Sequence, residues 1–258
     1  MLSLEEIKKF YPETLHGFER FLLREYLQYK ILEIVFESPF GSKLSFLGGT
    51  CLRIVHNNNR FSEDLDFDNF DLSRENFEAI SGLIEQELTR QGFEVEIRNV
   101  FKGAFHCHVK FPNLLFESRL SGHREEKILI QLDTEPQYFE FQPEKHIVNK
   151  FDVLINILTT PIDILLSQKL YAICNRPRPK GRDFFDVSFL IPRTKPNYDY
   201  LNQKMGVANA EALKETILEA CKKIDFEFMV NDVRAFLFSA RDEKRIRLFM
   251  EYFEQVEL

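Results

Sequence analysis

The chain has 258 residues, of which 44% are apolar and 29% charged; this is ordinary for a folded globular protein and excludes intrinsic disorder. The net charge of −7 excludes a protein that coats nucleic acid through an overall basic surface, although a local basic patch can still hold an RNA end. The N-terminus, MLSLEEIKKFYPETL, lacks the apolar run of a signal peptide, and no window of about 18 apolar residues predicts a membrane span. The four cysteines are far apart and have no metal-type spacing, so we expect reduced, mostly buried thiols in a cytoplasmic protein.

The first part of the chain is predicted to combine helices and strands. Apolar residues recur near a helical period over residues 4–38, with Pro12 separating two helices, the second of which extends to about Glu37. Further helices are expected at 51–55 and 75–91. Strand-like runs lie at 44–47, 63–70, 93–101, 104–111 and 127–133. Gly103 predicts a hairpin between the third and fourth of these strands.

After about residue 160 the pattern becomes helical. Thr160 and Pro161 are expected to begin a helix that extends to about Cys174, and a proline- and glycine-containing break follows at 176–181. Additional helices are predicted at 182–191, 207–224, 226–239 and 242–256. We therefore predict an α/β (α+β) domain over 1–158 and a helical domain over 159–258.

Two glycines and a threonine follow the strand at 44–47. Adjacent glycines permit a sharp turn from strand to helix, and Gly48 and Gly49 leave the amides of the helix N-terminus open to a phosphate. Thr50 adds a hydroxyl at the same point. A lone Gly-Gly pair is more often an ordinary turn, so this motif indicates a site only in combination with the acids of the next strand.

That next strand carries two aspartates, Asp64 and Asp66. Side chains two residues apart on a strand share a face, so these two carboxylates are expected to point together while Leu65 and Phe67 point into the core. Neighbouring carboxylates repel unless a cation lies between them, and Mg²⁺ prefers oxygen ligands and often takes substrate phosphates into its shell. A lone Asp-x-Asp is more often a solvated strand end. A site is favoured here by the order of the elements, which is strand–Gly-Gly-Thr–helix–loop–strand–Asp-x-Asp. The neighbouring acids Glu63, Asp68 and Asp71 are expected to be exposed or in a turn.

A third carboxylate, Asp133, follows the apolar strand at 128–132. If this strand lies beside that of Asp64 and Asp66, Asp133 completes a metal cluster or acts as a general base. The alternative is a strand-terminal acid beside the turn at Glu135 and Pro136.

The helical domain contains a basic block followed by two acids. Lys169 and Arg176 are seven residues apart, close to two helical turns, and therefore share a face. Residues 164–182 contain five Lys or Arg and no acid, which indicates an anion site in an otherwise acidic protein. Asp183 and Asp186 are expected on one face of the following helix. The alternative is an exposed basic loop, with Asp183 as an ordinary acid of a first helical turn.

Together, these motifs resemble the AbiEii/AbiGii toxin family. The matching patterns are Gly-Gly-Thr, Arg-x-Ser-x-Asp-x-Asp-Phe, Lys-Leu-x-Ala-x-x-x-Arg and Lys-Gly-Arg-Asp-x-x-Asp, in this order, over about 46–187. The family consists of bacterial nucleotidyltransferase-like toxins of toxin–antitoxin and abortive-infection systems. The resemblance implies a DNA polymerase β-like nucleotidyltransferase domain with a C-terminal helical domain, and an antitoxin as partner.

The resemblance also implies roles for individual residues. Asp64 and Asp66 would bind Mg²⁺ or Mn²⁺, with Asp133 as a less firmly placed third ligand. Lys169 would contact the phosphates of the nucleoside triphosphate (NTP), and Asp183 would be the essential acid of the last motif. The remaining residues expected to bind or support the nucleotide are Gly48, Gly49, Thr50, Arg53, Ser62, Arg176, Lys180 and Asp186.

Three functions agree with these motifs. The first is transfer of a nucleoside monophosphate (NMP) from an NTP to RNA, with the 3′ end of tRNA as the expected acceptor. The second is the same transfer to a protein hydroxyl, and the third is an NTP- or GTP-binding module with little turnover. The intact acids and Lys169 favour an enzyme over a binding module.

Overall fold

The computed structural model describes all residues from Met1 to Leu258, which form two compact units. Unit 1 comprises Met1–His56 and Phe61–Thr159, and unit 2 comprises Asn57–Arg60 and Thr160–Leu258. The sequence indicates a change of character near residue 160, but nothing in it indicates that the short segment 57–60 belongs with the helical unit.

Unit 1 is built on a seven-stranded mixed sheet with the strand order β3-β4-β5-β2-β1-β7-β6. Its strands are β1 (Leu44–Leu47), β2 (Leu65–Asn69), β3 (Glu96–Lys102), β4 (Ala104–Phe111), β5 (Ile128–Glu135), β6 (Glu144–Lys150) and β7 (Val153–Thr159). The pairs β2–β5 and β1–β7 are parallel, and the others are antiparallel. The strand that carries Asp66 therefore lies in the middle of the sheet.

Helices of unit 1 cover one face of this sheet and connect its strands. They are α1 (Leu4–Lys8), α2 (Glu19–Glu37), α3 (Gly48–Ile54), α4 (Arg74–Arg90) and α5 (Leu114–Glu117), with 3-10 turns at Glu13–Phe18 and Gly41–Lys43. The long helix α2 is buried along most of its length and packs against β7 and α4. The predicted helix from Pro12 thus begins as a 3-10 turn and becomes α-helical at Glu19.

Unit 2 is helical, as expected after residue 160. Its helices are α6 (Ile162–Asn175), α7 (Gly181–Leu190), α8 (Tyr198–Met205), α9 (Ala210–Cys221), α10 (Phe226–Val233), α11 (Lys244–Arg247) and α12 (Phe249–Gln255), with 3-10 turns at Arg234–Phe236 and Ala240–Glu243. The prediction that Thr160 caps the first helix is wrong, because the N-cap is Pro161 and no side chain caps this terminus. The predicted helix 207–224 is shorter, and Asn209 caps it through its side chain.

The four cysteines are free thiols. Three of them are buried, and burial raises the pKa of Cys107 to about 11 and that of Cys221 to about 12. These groups are therefore unreactive thiols that fill space, as the sequence predicts. None of the helices combines the length and apolar character that a membrane-spanning helix requires.

Candidate active site

The turn between β1 and α3 brings a carboxylate against Gly48. Gly48 has a φ of +78°, a conformation that favours glycine. A Cβ atom at this position would lie 2.1 Å from Oδ2 of Asp66. The absence of a side chain at Gly48 therefore creates the space that the Asp66 carboxylate occupies, at the point where α3 begins.

Thr50 links the same turn to the other predicted metal ligand. Its side chain is fully buried, and its hydroxyl donates a hydrogen bond to the backbone carbonyl of Asp64. A hydroxyl has one proton to donate, so the observed role of Thr50 is to fix the chain at Asp64. Its role in phosphate binding stays a prediction.

The side chains in and just before β2 differ in burial. Leu65 and Phe67 are buried, as predicted, whereas Asp64 and Asp66 are half-buried. The prediction for Asp68 is wrong, because this residue is only 2% exposed and accepts a hydrogen bond of 2.9 Å from the backbone N–H of Gln137. The segment that follows β5 therefore covers the Asp68 carboxylate near the end of β2.

The parallel pairing of β2 with β5 places Asp133 directly beside Asp66. Register partners on adjacent strands point to the same face, so the side chains of Asp66 and Asp133 lie on the same face of the sheet. The two strands are therefore adjacent, which is the condition under which the sequence predicts Asp133 as a third acid of the site. The metal-binding role of Asp133 stays a prediction.

These acids would suit a hard divalent ion that takes its remaining ligands from the phosphates of a nucleotide. No group of three or more His, Cys, Asp or Glu side chains is gathered in a metal-binding arrangement. Mg²⁺ is usually held by only one or two carboxylates, with phosphates and waters in the remaining positions. Asp66 and Asp133 supply such a set of oxygen ligands on one face of the sheet.

The carboxylate of Asp133 is held by two further side chains that the sequence did not single out. Nδ1 of His106 lies 2.6 Å from its Oδ1, and the amide of Gln131 donates to both oxygens at 2.8 and 3.0 Å. The sequence predicts only a strand residue at His106, because the register of β4 against β5 is not visible in it.

Arg53, one of the predicted nucleotide-binding residues, contacts a buried carboxylate. Its guanidinium binds Glu25 at 2.8 Å, and Lys150 and the hydroxyl of Tyr11 contact the same carboxylate at 2.7 and 2.9 Å. Burial raises the pKa of Glu25, but the charges of Arg53 and Lys150 together outweigh burial and leave that pKa below its ordinary value. Glu25 therefore stays ionised at the centre of this cluster. Ser62 is half-buried just before Asp64, and nucleotide binding by Arg53 and Ser62 is untested.

The predicted residues of unit 2 form a buried ion cluster. Nζ of Lys169 lies 3.3 Å from Asp183 and 2.9 Å from Asp186, which confirms that the two acids share a helical face. Arg176 contacts Asp183 at 3.0 Å, so Lys169 and Arg176 share this partner although α6 ends at Asn175. Asp183 and Asp186 are 1% and 0% exposed.

The segment 57–60 completes this cluster from a distant part of the sequence. Nε and Nη2 of Arg60 donate to the two oxygens of Asp186 at 2.7 and 2.6 Å, and the amide of Asn58 donates at 2.9 Å. Burial raises the pKa of Asp186, but the charges of Arg60 and Lys169 outweigh burial and lower that pKa from 3.8 to about 2. Asp186 is therefore a permanent counter-charge to Arg60 and Lys169.

The rest of the basic block is only partly neutralised. Lys180 contacts Asp232 at 3.3 Å, whereas Arg178 and Arg182 form no ion pair. The sequence did not distinguish these two arginines from their neighbours.

Comparison with known proteins shows which family the chain is similar to. Residues 30–257 match the family model described as nucleotidyl transferase AbiEii toxin, type IV TA system. JHP933 from Helicobacter pylori has 18% identity, with 92% of this chain and 94% of that chain covered and a TM-score of 0.54. An H. pylori protein described as a candidate nucleotidyltransferase has 18% identity, 93% and 99% coverage and a TM-score of 0.53.

These structural likenesses show a shared fold, and none of the curated proteins matches the sequence. The family match covers most of the chain, including the segment 46–187 that carries the sequence motifs. The chain therefore belongs to the family of AbiEii nucleotidyltransferase toxins of type IV toxin–antitoxin systems.

Proposed function

We propose that this nucleotidyltransferase uses Mg²⁺ to transfer an NMP from an NTP to a hydroxyl of RNA, with the 3′ end of tRNA as the acceptor. The observation that carries the proposal is the position of Asp66, whose carboxylate lies against Gly48 and whose register partner on β5 is Asp133. An oxygen-rich pair of acids next to a glycine turn is suited to a metal–triphosphate complex.

In the proposed reaction, the acceptor oxygen attacks the α-phosphorus of the NTP. The bond between the α-phosphorus and the bridging oxygen breaks, pyrophosphate leaves, and the hydroxyl proton passes to solvent. Mg²⁺, when bound, neutralises charge on the phosphates and on the leaving group. Asp66 and Asp133 would hold that ion, with Asp64 as the further ligand that the family resemblance implies. Thr50 fixes the backbone at Asp64, and Gly48 leaves room for the Asp66 carboxylate where α3 begins.

The residues of unit 2 have the phosphate-binding and supporting roles that the family resemblance implies. Lys169 contacts nucleotide phosphates, and Asp183 is essential to the reaction because it holds the ammonium group of Lys169 and the guanidinium of Arg176 in place. Arg176 and Lys180 support the nucleotide. A toxin with these properties acts in the cytoplasm, where its RNA acceptor is found, and is paired with an antitoxin.

The proposal is tested by incubating the full chain with each α-labelled NTP, Mg²⁺, total RNA and cell protein. We expect label in RNA, and we expect the Asp66→Asn variant to remove it. Asp71→Asn is the matched control, because Asp71 is an exposed acid of the turn that follows β2.

Each other outcome contradicts part of the proposal. Label in protein would show that the acceptor is a protein hydroxyl and not RNA. Nucleotide binding without label in either fraction would show a binding module. Label that persists in Asp66→Asn would locate the reaction elsewhere.

A further inference from the structure

Three polar side chains form a row across the open face of the sheet in unit 1. Asp133 on β5 is the register partner of Asp66 on β2 and of His106 on β4. The residues next to them along the strands, Leu132 and Cys107, are buried on the opposite face. Because direct register partners point the same way, His106, Asp133 and Asp66 lie side by side.

The hydrogen bond between His106 and Asp133 has a defined direction. An ionised carboxylate can only accept, so Nδ1 of His106 carries the proton and donates it to Oδ1 at 2.6 Å. Gln131 donates to both oxygens of the same carboxylate from the side of β5. Two side chains thus restrict the rotation of Asp133, while a carboxylate with about four acceptor positions retains room for a metal ion.

We propose that His106 is a positioning residue that orients Asp133 for binding a divalent metal beside Asp66. This inference rests on the proposed function, in which Asp66 and Asp133 hold Mg²⁺. Carboxylates that bind metals are usually fixed by a hydrogen bond from a second side chain, and loss of that bond typically weakens metal binding about 10- to 100-fold. Gln131 retains part of the restraint, so we expect a loss at the lower end, about tenfold.

Two substitutions at His106 separate the Nδ1 hydrogen bond from the bulk of the ring. In His106→Asn the amide nitrogen is bonded to Cγ, as Nδ1 is, and therefore still reaches Asp133. In His106→Gln the amide lies one bond farther from the backbone, and in His106→Ala it is absent. His108→Ala is the matched control, because His108 lies two residues along β4 and makes no hydrogen bond to Asp133.

The test is the affinity for Mn²⁺ alone, measured on the full chain from the six-line electron paramagnetic resonance signal of free Mn²⁺. We expect His106→Ala and His106→Gln to bind Mn²⁺ about tenfold more weakly. We expect His106→Asn and His108→Ala to bind like the wild type. Circular dichroism melting curves check that every variant is folded, and recovery of affinity in the asparagine variant is a result that a general loss of structure does not give.

The same titration distinguishes failure of this inference from failure of the proposed function. If Asp66→Asn and Asp133→Asn lose Mn²⁺ binding but His106→Ala does not, the metal site stands and the role of His106 is refuted. If all of these variants bind Mn²⁺ like the wild type, both are refuted. Recovery by glutamine but not by asparagine would also contradict positioning through Nδ1.

Discussion

Replacing Asp186 by asparagine is expected to destabilise unit 2 by about 3–5 kcal/mol. Asp186 is fully buried and receives hydrogen bonds or ion pairs from Arg60, Asn58 and Lys169. Asparagine has nearly the same shape but no charge, and it offers one acceptor oxygen where the carboxylate offers two. The guanidinium of Arg60, itself only 1% exposed, is then left in the interior without its counter-charge.

The lowered pKa of Asp186 agrees with the sign and order of magnitude of this loss. A fall from 3.8 to about 2 corresponds to about 2 kcal/mol in favour of the charged form. The substitution costs more than this, because it also leaves a buried cation without compensation, and removal of one partner from a buried ion pair typically costs about 3–5 kcal/mol.

The same shift predicts how the loss depends on pH. Because the folded-state pKa is lowered, the unfolded chain takes up the proton first as pH falls, and the contribution of Asp186 is fully present only above its unfolded pKa of 3.8. It is then lost as pH falls toward about 2. The difference in unfolding free energy between the wild type and Asp186→Asn should therefore be constant at neutral pH and become smaller between about pH 5 and pH 3.

Urea unfolding followed by circular dichroism measures this difference, with Asp199→Asn as a matched control. Asp199 is exposed, so its substitution should change stability by no more than about 0.5 kcal/mol. The double variant Arg60→Gln/Asp186→Asn should lose less than the sum of the two single losses, because both remove the same ion pair. A loss below about 1 kcal/mol in Asp186→Asn, or strictly additive losses in the double variant, would refute the buried cluster.

Three further predictions concern unit 1. Asp66→Asn should fold normally but lose at least about 100-fold in transfer rate, measured with labelled NTP, because it deletes a metal-binding charge and little volume. Gly48→Ala should lose transfer activity and about 1–2 kcal/mol of stability in thermal melting, because its Cβ would overlap the Asp66 carboxylate in a backbone conformation that favours glycine. The control Gly82→Ala, in an open position on α4, should be neutral or stabilising in the same melting experiment. Thr50→Val should lower both stability, by about 1–3 kcal/mol in urea unfolding, and transfer rate, because the carbonyl of Asp64 loses its buried donor; unchanged rates would contradict the positioning of Asp64.

Local sequence patterns predict much of unit 1. The burial of Ile128, Ile130 and Leu132 and the exposure of Leu129 follow the alternation expected of β5. Strands β6 and β7 are not predicted, for different reasons. β6 is an edge strand rich in charged residues, which lack the strand signal. In β7 apolar side chains lie on both faces, with Leu154 65% exposed, so the apolar–polar alternation of a half-buried strand is missing.

The candidate site is predictable only where its geometry is local. The Gly-Gly turn and the alternation of Asp66 with the buried Leu65 and Phe67 depend on residues that are neighbours in the chain, so their spacing is informative. The bond from His106 to Asp133 and the ion pair of Arg60 with Asp186 depend on strand register and on packing of residues that are 27 and 126 positions apart. No local pattern encodes such contacts, and the sequence therefore assigns no partners to the charges of these residues.

The most direct test of nucleotidyl transfer to RNA is to measure the mass of purified tRNA and the pyrophosphate released in the same reaction. We predict that each tRNA gains the mass of one or more NMP units at its 3′ end, with one pyrophosphate released for every unit added, and that Asp66→Asn gives neither product. Release of inorganic phosphate and an NDP, with tRNA of unchanged mass, would show cleavage at the β–γ bond and contradict nucleotidyl transfer.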